Sequence, residues 1–351
     1  MVCGVDSIFE KINSILSSNS LPSYDAFFEI LNEASEILEA ESGKGFEYRP
    51  LAQDGKCGSL LDFHKDGLPL LVIPDFHARP YFLLNILKYQ IFDEKADGGA
   101  ATVFEALASG RLRLLSVGDI LHTERGTRER WAAAHIEFLK EIYTGPAISA
   151  EMQEGLSLLC ALLELKTAFP ENVHILKGNH ENILNETGGG DFSFRKFVDE
   201  GEMCRCFIQE YYGDDILYLM NCVEKSLPLF YFGKRCSLSH AEPARSYTRQ
   251  ELINAKSNED VVRGLIWTGN GEAEEKSARV TVQNLFDSRV PKGYLYLGGH
   301  RPVQGNYKAL QDGFYIQIHN PGKQNIVIVH PERSINLDSD IVSVTKSKES
   351  L

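Results

Sequence analysis

LPLLVIPDFH, residues 68–77, is an apolar run closed by a proline, with an aspartate and a histidine immediately beyond it. A continuous apolar stretch of this length reads as a buried strand and Pro74 ends it, so Asp75 and His77 fall just past the strand's carboxyl end. YFLLNILKYQIF (81–92) follows and reads as a helix. The same order of strand, polar loop and helix recurs along the chain. RLRLLSV (111–117) runs into Gly118 and Asp119, and VHILK (173–177) runs into Gly178, Asn179, His180 and Glu181. SLPLFYFGKRCSLSH (226–240) reads as a strand pair turning at Gly233 and Lys234 and ending on His240, and YLYLG (294–298) precedes His300. In a layered α/β protein such strand ends open on one edge, so residues far apart in sequence can meet in one crevice.

The tripeptide Asp-Phe-His occurs twice, at 62–64 and at 75–77. Only Leu60 and Leu61 precede the first copy, whereas the second ends a full apolar run. Strand context therefore selects Asp75 and His77.

Around this core, residues 24–42 set Phe27, Ile30, Leu31, Ala34, Ile37 and Leu38 at helical spacing. Two further helical stretches, 128–144 and 149–169, form an insertion near 127–169 whose length suits a cap over the crevice. FYIQIHNPGKQNIVIVH (314–330) reads as a closing hairpin around Pro321 and Gly322, and from Ser334 the chain turns polar and is expected to fray. The division is thus an N-terminal helical extension (1–50), a catalytic domain (51–335) carrying the insertion, and a polar tail (336–351).

Composition narrows the function. The chain has 351 residues, 43% of them hydrophobic, and a formal net charge of -13, which argues against a protein that holds nucleic acid by neutralising phosphates. Its seven cysteines are odd in number and form no paired CxxC knuckles, so a zinc ribbon is not expected. The N-terminus lacks the order of a secretory signal and no apolar run is long enough for a bilayer. The expectation is a cytoplasmic chain with reduced thiols and no membrane partner.

PDFHA, GDILHTERG, GNHE, SHAE and GGH, in that order, resemble the successive motifs of the calcineurin-like metallophosphoesterase superfamily, and within it of the phosphoprotein phosphatases: GDxHG, GDxVDRG, GNHE, HGG and a final GH. LIWTGN (265–270) is similar to that family's LLWSDP stretch, so the resemblance spans about residues 68 to 330. It implies a two-sheet β-sandwich flanked by helices, with one metal on Asp75, His77 and Asp119, and Asp119 bridging to a second on Asn179, His240 and His300. Mixed carboxylate, amide and imidazole ligands suit manganese, or an iron and zinc pair. His180 takes the position of the general acid, and Arg125 that of a phosphate-binding arginine. Glu124 stands where an aspartate pairs with the general acid. Arg279 or Arg245 matches a second phosphate arginine. The implied activity is hydrolysis of a phosphoester by a metal-activated water, with phosphoserine or phosphothreonine protein as substrate. The alternatives are a small-molecule phosphoesterase, such as a dinucleoside polyphosphate hydrolase, and an inactive scaffold of the same fold.

Three departures stand out. Pro74 and Ala78 replace glycines of the first motif, two extra residues precede ERG in the second, and Ala241-Glu242 replaces the glycines after His240. His122, His174, His319 and the Cys204/Cys206 pair are read as structural.

Overall fold

The computed structural model describes residues 2–42, 47–124, 126–286 and 289–345. Two sheets stack face to face. One has five strands in the order β13 (Ile341–Ser343), β12 (Asn325–Val329), β2 (Leu70–Ile73), β5 (Arg113–Ser116) and β6 (Val173–Ile175), with β2, β5 and β6 parallel. The other has six, in the order β1 (Leu60–Phe63), β7 (Phe230–Gly233), β8 (Cys236–Leu238), β9 (Leu295–Gly298), β11 (Tyr315–Gln317) and β10 (Lys308–Leu310), with β8, β9 and β11 parallel. A small antiparallel ribbon of β3 (Gln90–Phe92) and β4 (Ala101–Thr102) stands apart.

Alternation along each strand decides which layer a side chain enters. Leu70 and Val72 meet Leu115, Leu238, Leu297 and Ile316 between the sheets. Leu71 and Ile73 point the other way, into a helical layer that includes Pro146–Ala168 and Tyr24–Ala40. On the far side, Phe230, Phe232, Tyr296 and Tyr315 pack against helices Glu259–Ile266 and Ser277–Leu285. Because both faces of β2 are covered, every residue of it is buried, which is why its sequence is continuously apolar rather than alternating.

A buried ionic knot fastens the N-terminal helices to this core. The Glu41 carboxylate, 1% exposed, pairs with both Arg49 and Lys166, themselves 0% and 1% exposed. Arg49 Nε also donates to Gly58 O at 2.8 Å, and Lys166 Nζ donates to Val173 O at 2.9 Å.

Four local expectations need correction. Residues 314–330 do not form a hairpin: β11 and β12 belong to different sheets, and the turn around Pro321 carries the chain across the sandwich. Helix Pro146–Ala168 is not a cap; its leucines lie in the core beneath the five-stranded sheet, which leaves it no freedom to arch over a crevice. The polar tail gives up residues 341–343 to an edge strand paired with β12. The first Asp-Phe-His also lies on a strand: β1 pairs in parallel with β7, and Asp62 binds Arg249 and His64. Helix Val2–Ser17, unmarked in the sequence reading, packs Ile12 and Leu16 into the helical layer.

Candidate metal centre

The parallel strands of both sheets deliver their following residues to one end of the sandwich. Asp75, His240 and His300 each stand two positions past the last residue of β2, β8 and β9, while Asp119 and Asn179 follow β5 and β6 slightly later. Backbone hydrogen bonds join neighbouring loops, among them His77 N to Asp119 O at 2.8 Å and Gly299 N to His240 O at 2.7 Å, and His300 N donates across to Asp75 Oδ2 at 2.9 Å. The backbone turns sharply here. His77, Ala78, Asp119, His122 and His300 all adopt positive φ, between 45° and 72°, a conformation that costs a side-chain-bearing residue about 1 kcal/mol or more and concentrates at functional sites.

The six residues expected to hold metal lie together. His77 Nε2 is 3.6 Å from Asp119 Oδ2 and 3.9 Å from Asp75 Oδ2. His240 Nε2 is 3.4 Å from the same Asp119 oxygen and 3.0 Å from Asn179 Oδ1, while His300 Nδ1 is 2.9 Å from Asn179 Oδ1. Asp119 thus faces both halves of the cluster.

Tautomers follow from the partners. His77 Nδ1 is 3.0 Å from the carbonyl of His122, and His240 Nδ1 is 2.9 Å from the carbonyl of Val117. A carbonyl only accepts, so these nitrogens carry the proton and each Nε2 presents a lone pair to the acidic and amide oxygens. Lone pairs facing one another at about 3–4 Å are repulsive unless a cation lies among them. Asp75 Oδ1 is buried with no hydrogen-bond partner among the described residues. The donor set fits divalent ions well on these grounds.

Electrostatics agree with the tautomers. Burial, reinforced by the Glu181 and Asp75 carboxylates, holds the Asp119 carboxyl well above its ordinary range. Burial pushes His77, His180 and His300 well below the ordinary imidazole value, with neighbouring imidazoles adding to it at each. Neutral imidazoles are ligands rather than cations, and a carboxylate in that setting gains from any cation beside it.

Glu181 shapes the third loop. Its carboxylate accepts from the backbone N–H groups of Asp119 and Ile120, each at 2.8 Å, and of Gly178 at 2.6 Å, fastening the second motif to the GNHE turn. Close approach also requires Gly299, where a Cβ would lie 1.7 Å from Asp75 Oδ1. Gly299→Ala is therefore expected to displace Asp75 and weaken manganese binding at least tenfold while secondary structure is retained. Calorimetric titration alongside circular dichroism checks this, and unchanged affinity would contradict it.

His180 Nε2 lies 3.9 Å from Asp119 Oδ2, its ring stacked on Phe194 at 4.5 Å and set 4.8 Å from the His122 ring. His122 is buried with Nε2 3.5 Å from Glu200 Oε1, and this imidazole helps hold the Glu200 carboxyl down to about 2 against the opposing effect of burial.

Glu124 makes no hydrogen bond with His180 among the described residues, although its charge reaches that imidazole and favours the protonated form. Its carboxylate reaches Lys196, His77 Nε2 at 3.5 Å and His319 Nε2 at 3.4 Å. Burial alone would push its pKa up, yet His77, His319 and Lys196 outweigh that and hold it well below the carboxylate range. His319, read from sequence as structural, sits beside Asp75 and His77, with Nδ1 3.8 Å from Asp75 Oδ2.

The arginines divide. Arg125 lies outside the described residues. Arg245 pairs with Glu251 at 2.8 Å and covers the Tyr247 ring, and Arg279 covers Phe314 at 4.3 Å. Neither contacts the cluster. Arg301, which sequence reasoning passed over, directly follows His300, is exposed, and lies across the backbone at Gly269.

Among solved structures, a protein serine/threonine phosphatase from Saccharomyces cerevisiae, described as similar to human phosphatase PP5, superposes with a TM-score of 0.56 at 14% identity, covering 92% of this chain and 89% of that one. The chain has the calcineurin-like metallophosphoesterase fold. A cold-active protein-tyrosine phosphatase from a psychrophilic Shewanella species aligns at a TM-score of 0.46 and 16% identity, over 79% of this chain and 80% of that one. A putative diadenosine tetraphosphatase aligns at 0.38 and 11%, over 83% and 100%. No protein-family model and no curated protein matches the sequence. Within that fold, the candidate ligand cluster sits where parallel strands from both sheets end, the edge at which a crevice opens in layered α/β proteins.

Proposed function

We propose that this chain is a phosphoesterase whose two divalent ions are held by Asp75, His77, Asp119, Asn179, His240 and His300. The convergence of lone pairs from five separate strand ends carries the reading. Divalent ions at such a site acidify a water and neutralise charge on the phosphoryl group. The chain's own residues supply the rest. Asp119 belongs to both halves and keeps them in register. His180 is seated against Phe194 with its ring toward the Asp119 side of the cluster, where it can donate a proton to the leaving oxygen. Arg125, by its position in the second motif, and Arg301, next after His300, offer guanidinium groups that can grip phosphate oxygens in forked fashion. No covalent enzyme intermediate is required.

Manganese is the metal we favour, with an iron and zinc pair next. The substrate class we favour is phosphoserine or phosphothreonine protein. The motif order supports this, and so does the burial of helix Pro146–Ala168 in the core, because the cap that would favour a nucleotide is then absent from that helix. Among the described residues no helix is long and apolar enough to cross a membrane.

His180→Ala tests the chemistry. Removing a general acid costs about 10²–10⁴ in rate, and the loss depends on how badly the leaving group needs a proton. Phenyl phosphate should lose far more turnover than p-nitrophenyl phosphate, whose nitrophenolate leaves unaided. Equal losses on both substrates would remove His180 from that role.

A further inference from the structure

We infer that His319 is a direct metal ligand through Nδ1, completing the site formed by Asp75, His77 and Asp119, and that Glu124 fixes its tautomer. This rests on the two-metal reading above.

His319 stands two residues past β11, the same offset that His240 and His300 have from β8 and β9. Strand β11 runs parallel to β9 in the same sheet, so its following residue must emerge at the same edge. Ile318 N donates to Gly298 O at 2.9 Å, holding the two strand ends together. The imidazole is 0% exposed and its ring centroid lies 5.1 Å from that of His77.

The proton on this ring has one position. Nε2 is 3.4 Å from a carboxylate oxygen of Glu124, which accepts only, so Nε2 carries the hydrogen. Nδ1 then presents a lone pair to Asp75 Oδ2 at 3.8 Å, and it has no hydrogen-bond partner among the described residues. A lone pair buried against a carboxylate is repulsive, and a shared cation removes the repulsion. The ligand atoms of Asp75, His77 and His319 all lie within 4.8 Å of one another, a spread that one ion can span. A carboxylate behind a ligating imidazole is a common outer partner that orients the ring and raises its basicity. Glu124 fills that position, and this explains why the two extra residues before ERG carry it toward the first metal rather than toward His180.

Two measurements on the full chain test this. With nitrogen-15 in its histidines, the metal-stripped protein is titrated with zinc and its imidazole nitrogens followed by two-bond proton–nitrogen correlation. Four rings should move to metal-bound shifts: His77, His240, His300 and His319, the last at Nδ1. Three shifted rings with His319 unmoved would overturn the inference while leaving the two-metal reading intact. No shifted ring would overturn both. In parallel, His319→Gln should weaken one of two manganese sites at least tenfold and leave the other unchanged. Circular dichroism of the metal-free variant verifies the fold. Two unaltered sites in a folded His319→Gln chain would sink the assignment.

Discussion

Asp119→Asn is expected to lower manganese-dependent turnover of p-nitrophenyl phosphate by about a thousandfold or more. One oxygen of Asp119 lies within 3.6 Å of both His77 Nε2 and His240 Nε2, and the other accepts the backbone N–H of His180 at 3.0 Å. The amide replaces a charge shared by both halves of the cluster with a neutral group, half of which donates toward nitrogens that can only accept. Losing several kcal/mol of charge stabilisation corresponds to three or more powers of ten in rate. Asp62→Asn provides a control, because it alters the duplicated Asp-Phe-His where the carboxylate serves Arg249 and His64 instead. Activity should survive that change. Near-normal turnover in Asp119→Asn would remove Asp119 from the bridging position.

Glu41→Ala is expected to destabilise the fold by about 3–5 kcal/mol, the cost of leaving buried partners of an ion pair uncompensated. The substitution strands Arg49 and Lys166 where burial already pushes the Lys166 ammonium below its ordinary range despite the attraction of Glu41. It also cuts the link between the end of helix Tyr24–Ala40 and helix Pro146–Ala168. Urea unfolding followed by circular dichroism should show a lower midpoint. A shift under 1 kcal/mol would mean that the two cations find other partners or shed charge without strain.

Much of this arrangement is legible in the sequence because parallel strands covered on both faces must be continuously apolar, and the polar residue types that follow them are conspicuous. LLVI before Asp75 and RLLS before Asp119 are read this way. Two strands of the six-stranded sheet escape. Leu60–Phe63 contains Asp62 and was read as a bare tripeptide, and Tyr315–Gln317 was folded into a hairpin that does not form. The second error hid His319. Once β11 is recognised as a strand parallel to β9, the two-residue offset shared by Asp75, His240 and His300 points directly to His319. Glu124 was harder to place. Motif alignment set it beside His180, but the path of a loop with two additional residues depends on long-range contacts, here the ones with His319 and Lys196. The ionic knot of Glu41, Arg49 and Lys166 was equally invisible, since Glu41 and Lys166 are 125 residues apart and each member alone reads as a surface charge.

Phosphoester hydrolysis by this chain is expected to depend on ions held by this cluster. The most direct test titrates manganese into metal-stripped protein while turnover of p-nitrophenyl phosphate and bound metal are measured together. Turnover should be absent without metal and should rise to a plateau at two ions per chain. Turnover that persists in chelator, or none with two ions bound, would contradict it.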